Sequence, residues 1–180
     1  MALGTVLLWG ASAQSTYDRV WWESTGKDER TQFVAGYLDC AAYDDGNTRL
    51  AEAQWNGIEP EITRYYASHP QMTRRTVPSL ILALGAASRS TDPAGEPYPE
   101  KHGIFDGDYW RQITPSGRIG FVEGYLACRT SGLEKHQFAA HTAAWYVSQI
   151  DRTYRVTPED DEDENDASKK IASIIQKLTR

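Results

Sequence analysis

Arg30-Thr31-Gln32-Phe33-Val34-Ala35-Gly36-Tyr37-Leu38-Asp39-Cys40 returns as Arg118-Ile119-Gly120-Phe121-Val122-Glu123-Gly124-Tyr125-Leu126-Ala127-Cys128, 88 residues further on. Seven of these eleven positions are identical, where unrelated stretches of ordinary composition match at roughly one position in sixteen. The same offset joins Asp18 to Asp106, Trp22 to Trp110, Ile62 to Ile150, Arg64 to Arg152, Tyr66 to Tyr154 and Pro70 to Pro158. The chain is therefore an internal duplication, and the pairs require neither insertion nor deletion along the matched length. A duplication speaks of architecture and says little about chemistry.

Both copies of the motif read as helix. Phe33, Val34, Tyr37, Leu38 and Ala41 form one apolar stripe of helical period, and Phe121, Val122, Tyr125 and Leu126 repeat it. Thr114-Pro115 predicts the start of the second of these helices, a capping residue followed by proline at the first helical position. Asp28 and Glu29 supply an acidic first turn to the other. Beside the apolar stripe runs one of small residues: Gly120, Gly124 and Cys128, with Gly36 and Cys40 in the first copy. Glycine inside a helix costs about 1 kcal/mol relative to alanine, so its repetition calls for two backbones in close approach.

The remaining helical stretches are 61–69 and 133–156, then 78–88 and 167–178. The first is expected to be interrupted at Gly57 and Pro60 and its counterpart to be continuous. Residues 88–103, with Pro93, Pro97 and Pro99, read as a linker. No stretch alternates as a strand does. The expectation is an all-α protein: two tandem three-helix repeats packed with pseudo-two-fold symmetry into one domain, residues 14–101 with the Pro-rich linker and residues 102–180.

Residues 1–13 stand outside the duplication. An apolar run from Leu3 to Trp9 precedes Gly10-Ala11-Ser12-Ala13, which reads as a signal peptide cleaved after Ala13. No Lys or Arg precedes the run, and the other reading is merely an apolar N-terminus. The register favours the leader, because His102, where the second copy begins, corresponds to Gln14. The expected location is periplasmic or secreted, with no membrane span in the mature chain. In an oxidising compartment two cysteines pair, and equivalent residues meet only near a pseudo-two-fold axis. A Cys40–Cys128 disulfide follows, stabilising by roughly 4–5 kcal/mol in the chain-entropy model; the alternative is two buried thiols. A net charge of −6 argues against nucleic acid as a partner.

Arg30 and Arg118 fall within the apolar stripes and need a carboxylate partner or an exit to water, and Asp18 and Asp106 offer carboxylates at matching positions. These are read as structural ion pairs or caps, with a clamp for a ligand carboxylate or phosphate as the alternative. The segment from His102 to Trp110 concentrates glycine, aromatics and carboxylates in the second copy alone, so His102, Asp106, Asp108, Tyr109 and Trp110 are the candidate ligand-binding residues. Any metal there is unknown, since no recognised ligand spacing is present. His136 and His141 lie on different helix faces, which breaks a zinc arrangement with Glu134. The acidic run 158–166 is read as a solvated stretch. Catalytic templates are missing, and no cofactor is implied.

In the central helix and the tryptophan segment before it (Trp22, Phe33, Gly36 and Tyr37; Trp110, Phe121, Gly124 and Tyr125), the chain resembles small exported bacterial proteins of unknown function. More distantly it is similar to the Tai-type immunity proteins. That resemblance implies a periplasmic, helical, disulfide-bonded protein that neutralises a peptidoglycan amidase delivered by type VI secretion. The functional expectation is an exported, non-enzymatic helical binding or interaction protein, inhibitor-like or immunity-like, with a protein partner in the cell envelope. Two alternatives stand beside it: a small-ligand or metal-dependent enzyme using His102–Trp110, and a structural envelope protein.

Overall fold

The computed structural model describes residues 17–43, 55–87, 105–131, 141–154 and 169–179. The leader, the Pro-rich linker, His102, Glu134, His136 and the acidic run lie outside them. The described residues form eight helices and no strand: α1 (Arg19–Ser24), α2 (Lys27–Tyr43), α3 (Trp55–Ser68), α4 (Val77–Ala87), α5 (Gly107–Gln112), α6 (Pro115–Ser131), α7 (Ala143–Thr153) and α8 (Ile171–Leu178). The protein is all-α. None of these helices is long and apolar enough to cross a membrane.

Helices α2 and α6 form the centre. A Cβ on Gly36 would overlap the carbonyl of Phe121, one on Gly124 that of Phe33, and one on Gly120 that of Glu29. The small-residue stripe thus brings backbone against backbone. Contact points advance together along both helices, so α2 and α6 run parallel. Farther along, Cys40 and Cys128 are joined by a disulfide, with Cα atoms 6.1 Å apart. The apolar stripe is buried in each helix, from Phe33 and Val34 to Ala41 and from Phe121 and Val122 to Tyr125.

The outer helices pack around this pair, α3 and α4 against α2 and α7 against α6, while α8 packs on α7 and crosses to α2 of the first half. Equivalent residues make equivalent contacts. Trp22 Nε1 donates to Thr63 Oγ1 at 3.1 Å and Trp110 Nε1 to Asp151 Oδ1 at 2.8 Å. Both tryptophans are fully buried, which by area contributes about 4–6 kcal/mol each. Tyr17, Trp21 and Phe33 cluster in one half as Phe105, Tyr109 and Phe121 do in the other.

The three-helix expectation is corrected to four described helices in each half. The tryptophan segments are short helices rather than loops, because Asp18 and Asp106 cap them. The constant offset is also corrected. Tyr66 OH donates to Arg75 O and Tyr154 OH to Lys169 O, each at 2.7 Å. Val77 N likewise donates to Tyr17 O at 2.7 Å and Ile171 N to Phe105 O at 2.9 Å. Beyond Tyr154 the equivalent residues are therefore 94 apart, from Arg75 to Lys169 and from Val77 to Ile171. Six extra residues enter between α7 and α8, the stretch that holds the acidic run.

Three boundaries differ from expectation. α3 continues through Pro60. The lost hydrogen bond and ring clash cost ~3 kcal/mol, and burial of Ile58, Ile62 and Tyr66 offsets it. α7 starts only at Ala143, because Thr142 is extended and its side chain caps Trp145 N. α8 starts at Ile171, after an extended Lys170. Thr114-Pro115 does start α6, with Thr114 Oγ1 accepting from Gly117 N at 3.1 Å.

Candidate functional site

The two arginines inside the apolar stripes are settled by geometry. Arg30 pairs with Glu59 at 3.0 Å and donates to Trp22 O at 3.1 Å. Arg118 pairs with Asp151 at 3.0 Å and donates to Trp110 O at 3.1 Å. Each guanidinium also lies over its tryptophan ring, 5.2 and 5.5 Å from the centroid. The expected Asp18–Arg30 and Asp106–Arg118 pairs are thus replaced. Both aspartates are N-caps: Asp18 accepts from Val20 N and Trp21 N, and Asp106 from Asp108 N and Tyr109 N. The first N–H groups of a helix have no partner within it, and a carboxylate in extended backbone just before them is already positioned to accept. The arginines then draw their carboxylates from the helices packed alongside. Their role is to tie α1 to α3 and α5 to α7.

The candidate ligand segment is likewise absorbed into the fold. Asp106 caps α5 and has Lys170 Nζ at 3.4 Å. Asp108 is exposed and pairs with Arg111 at 2.7 Å. Tyr109 donates its hydroxyl to Gln32 Oε1, and Trp110 is buried with its N–H on Asp151. Of the five proposed ligand residues, three are committed to capping or packing, Asp108 points to solvent, and His102 lies outside the described residues. Among the described residues no group of three or more His, Cys, Asp or Glu is placed to hold a metal ion. His141 stacks on Trp145, with ring centroids 3.7 Å apart.

The structure instead concentrates unusual chemistry where the halves differ along the α2–α6 seam. Glu123 occupies the position that Ala35 holds in the first copy. One of its oxygens, Oε2, is buried and makes no hydrogen bond among the described residues. Burial pushes its carboxyl up to about 7, and the nearby Glu29 adds to the rise. Glu29 itself is raised, first by burial and then by Asp28. Tyr17 is held well above the usual phenol range by burial and then by Glu123. On the other edge of the seam, Asp28 accepts from the Thr114 hydroxyl. Gln32 there meets Tyr109, whose phenol burial also raises.

Such a seam stores a proton between two close-packed helices. Glu123 is neutral in acid and ionises, beside another carboxylate, around neutral pH. Sequence reasoning looked for broken symmetry only in 102–110 and passed over Glu123. The available signal was a carboxylate at a position whose counterpart is alanine, inside an otherwise identical buried stripe.

The chain matches no protein-family model, no curated protein and no solved structure.

Proposed function

We propose that the protein is an exported, non-enzymatic binding protein that acts on a protein partner in the cell envelope, as an inhibitor or immunity-like factor does. The observation that carries this reading is the locked central pair, parallel helices in backbone contact and joined by Cys40–Cys128. A disulfide across the middle of a fold suits an oxidising compartment. Surfaces mounted on such a pair are preorganised, and a rigid surface loses little entropy on binding.

Asp106, Tyr109 and Trp110 of the His102–Trp110 segment are taken up in caps and packing, which favours binding by surface over reaction in a site. The test is affinity capture from a periplasmic fraction with the purified, oxidised chain, scored by a stoichiometric complex that survives re-purification. Expected is one such complex, weakened when Cys40→Ser/Cys128→Ser replaces the parent. Recovery of no partner by the oxidised chain would sink the proposal.

A further inference from the structure

The α3–α4 connection is where the halves differ most in charge. From Ile62 to Thr91 the sequence holds no carboxylate and four arginines, Arg64, Arg74, Arg75 and Arg89, in a chain of net charge −6. The matching α7–α8 connection carries seven carboxylates in residues 159–166. It is also the connection that is six residues longer in the second half, the equivalents Arg75 and Lys169 being 94 apart where Tyr66 and Tyr154 are 88 apart.

The basic turn is built, not merely charged. Tyr66 OH holds Arg75 O, Arg19 Nη1 donates to Pro70 O at 2.7 Å, and Met72 N donates to His69 O at 3.0 Å. His69 stacks on the Tyr65 ring at 4.5 Å, and the Arg75 guanidinium lies 5.3 Å from the same ring. Beside this cluster Met72 is 44% exposed, and Val20, on the helix that Arg19 ties to the turn, is 69% exposed. Arg74 is exposed and makes no ion pair among the described residues. Ordered arginine and tyrosine next to exposed apolar atoms is the composition of an interaction surface. Among the described residues Arg19 pairs with Glu23 and Arg64 with Glu61, while Arg74 and Arg75 form no ion pair, which leaves the charge of those two available to an anionic partner.

We infer that this turn docks the acidic segment 159–166 of a second copy, so that the chain self-associates head to tail. Charge complementarity selects the occupant, because the one strongly acidic run in the chain stands at the position equivalent to the basic turn. Tyr154 and Lys169, which flank the acidic segment, are hydrogen-bonded to each other within the second half, whereas the turn is tied to α1 and α3 of the first. A second copy brings the two together without opening either. The contact joins unlike surfaces, so it is heterologous and either closes into a ring or propagates. It goes beyond the binding function above and stands or falls without it, since its test contains only this chain.

The test is sedimentation of the full oxidised chain, on the order of 100 μM, where mass action favours association. Runs at about 20 mM and about 500 mM NaCl compare weak with strong screening. Expected is a mass that rises with concentration at low salt and returns to the monomer at high salt. Arg74→Glu/Arg75→Glu should weaken association about tenfold or more at low salt with an unchanged circular dichroism spectrum. A second variant, with the carboxylates at 159–164 replaced by their amides, should do the same. An equimolar mixture of the two variants should form a capped heterodimer, because one keeps the acidic segment and the other the basic turn. A parent that stays monomeric at low salt overturns the inference. So does association that both variants leave intact, or a mixture that forms no heterodimer.

Discussion

Replacing Glu123 with glutamine should alter how stability depends on pH while leaving the fold in place. In the folded protein this carboxyl titrates near 7, against an ordinary value of 4.5. The folded state therefore holds one proton more than the unfolded chain between those two values. Stability then falls as pH rises through that window, is greatest below about 4.5 and levels off above about 7. At 1.36 kcal/mol per pH unit the whole interval corresponds to about 3.4 kcal/mol. Glu123 is only partly buried, and solvent screening reduces this to about 1–2 kcal/mol. Glutamine keeps the shape and cannot ionise. The variant should lie within about 0.5 kcal/mol of the parent at pH 5 and exceed it by about 1–2 kcal/mol at pH 8. Urea unfolding followed by tryptophan fluorescence, without reductant, measures both proteins across the range. Titrating groups that do not feel Glu123 cancel in the difference, and its coupling to Glu29 belongs to the effect being measured. A difference between variant and parent that stays constant from pH 5 to pH 8 would refute the reasoning.

Three further outcomes follow from the packing. Gly124→Ala places a Cβ on the Phe33 carbonyl and should cost about 3 kcal/mol by forcing α2 and α6 apart. Gly57→Ala, in open space on α3, should instead gain up to about 1 kcal/mol; equal effects in denaturant melts would contradict the close approach. Cys40→Ser/Cys128→Ser should lower stability by about 4 kcal/mol, and free thiols found in non-reducing mass analysis of the parent, purified without reductant, would remove its basis. Asp151→Ala strips the partner from both Arg118 and Trp110. It should cost about 2–3 kcal/mol, measured by thermal melting, and a loss below about 0.5 kcal/mol would show that these contacts are replaceable by water.

Much of the centre of this protein was legible in one dimension because its causes are local or repeated. A period of 3.6 in Phe33, Val34, Tyr37 and Leu38 needs no partner to be recognised as a helix face. Glycine recurring at four-residue spacing on two copies of that face requires a backbone neighbour, and the nearest available one is the other copy. The Cys40–Cys128 bond follows from the same parallel contact. Arg30 and Arg118 were also recognisable as cations set in an apolar stripe, for which a carboxylate partner or an exit to water is needed.

What escaped was every choice among chemically equivalent partners. Asp18, Glu59, Asp106 and Asp151 are all carboxylates, and only the placement of α3 and α7 assigns two of them to arginines and leaves two as caps. The six-residue insertion was invisible because the α3–α4 and α7–α8 connections share too few residues to align. It emerged only when Tyr66 and Tyr154 were seen to hold Arg75 and Lys169. Glu123 is an ordinary glutamate in the sequence. Its proton affinity comes first from burial and then from the charge of the neighbouring Glu29 carboxylate. Sequence by itself determined that two like helices must meet face to face, because periodicity and side-chain size are properties of the chain. The tertiary structure alone decided which charges that meeting pairs, caps or leaves buried, because burial and distance are set by elements far apart along it.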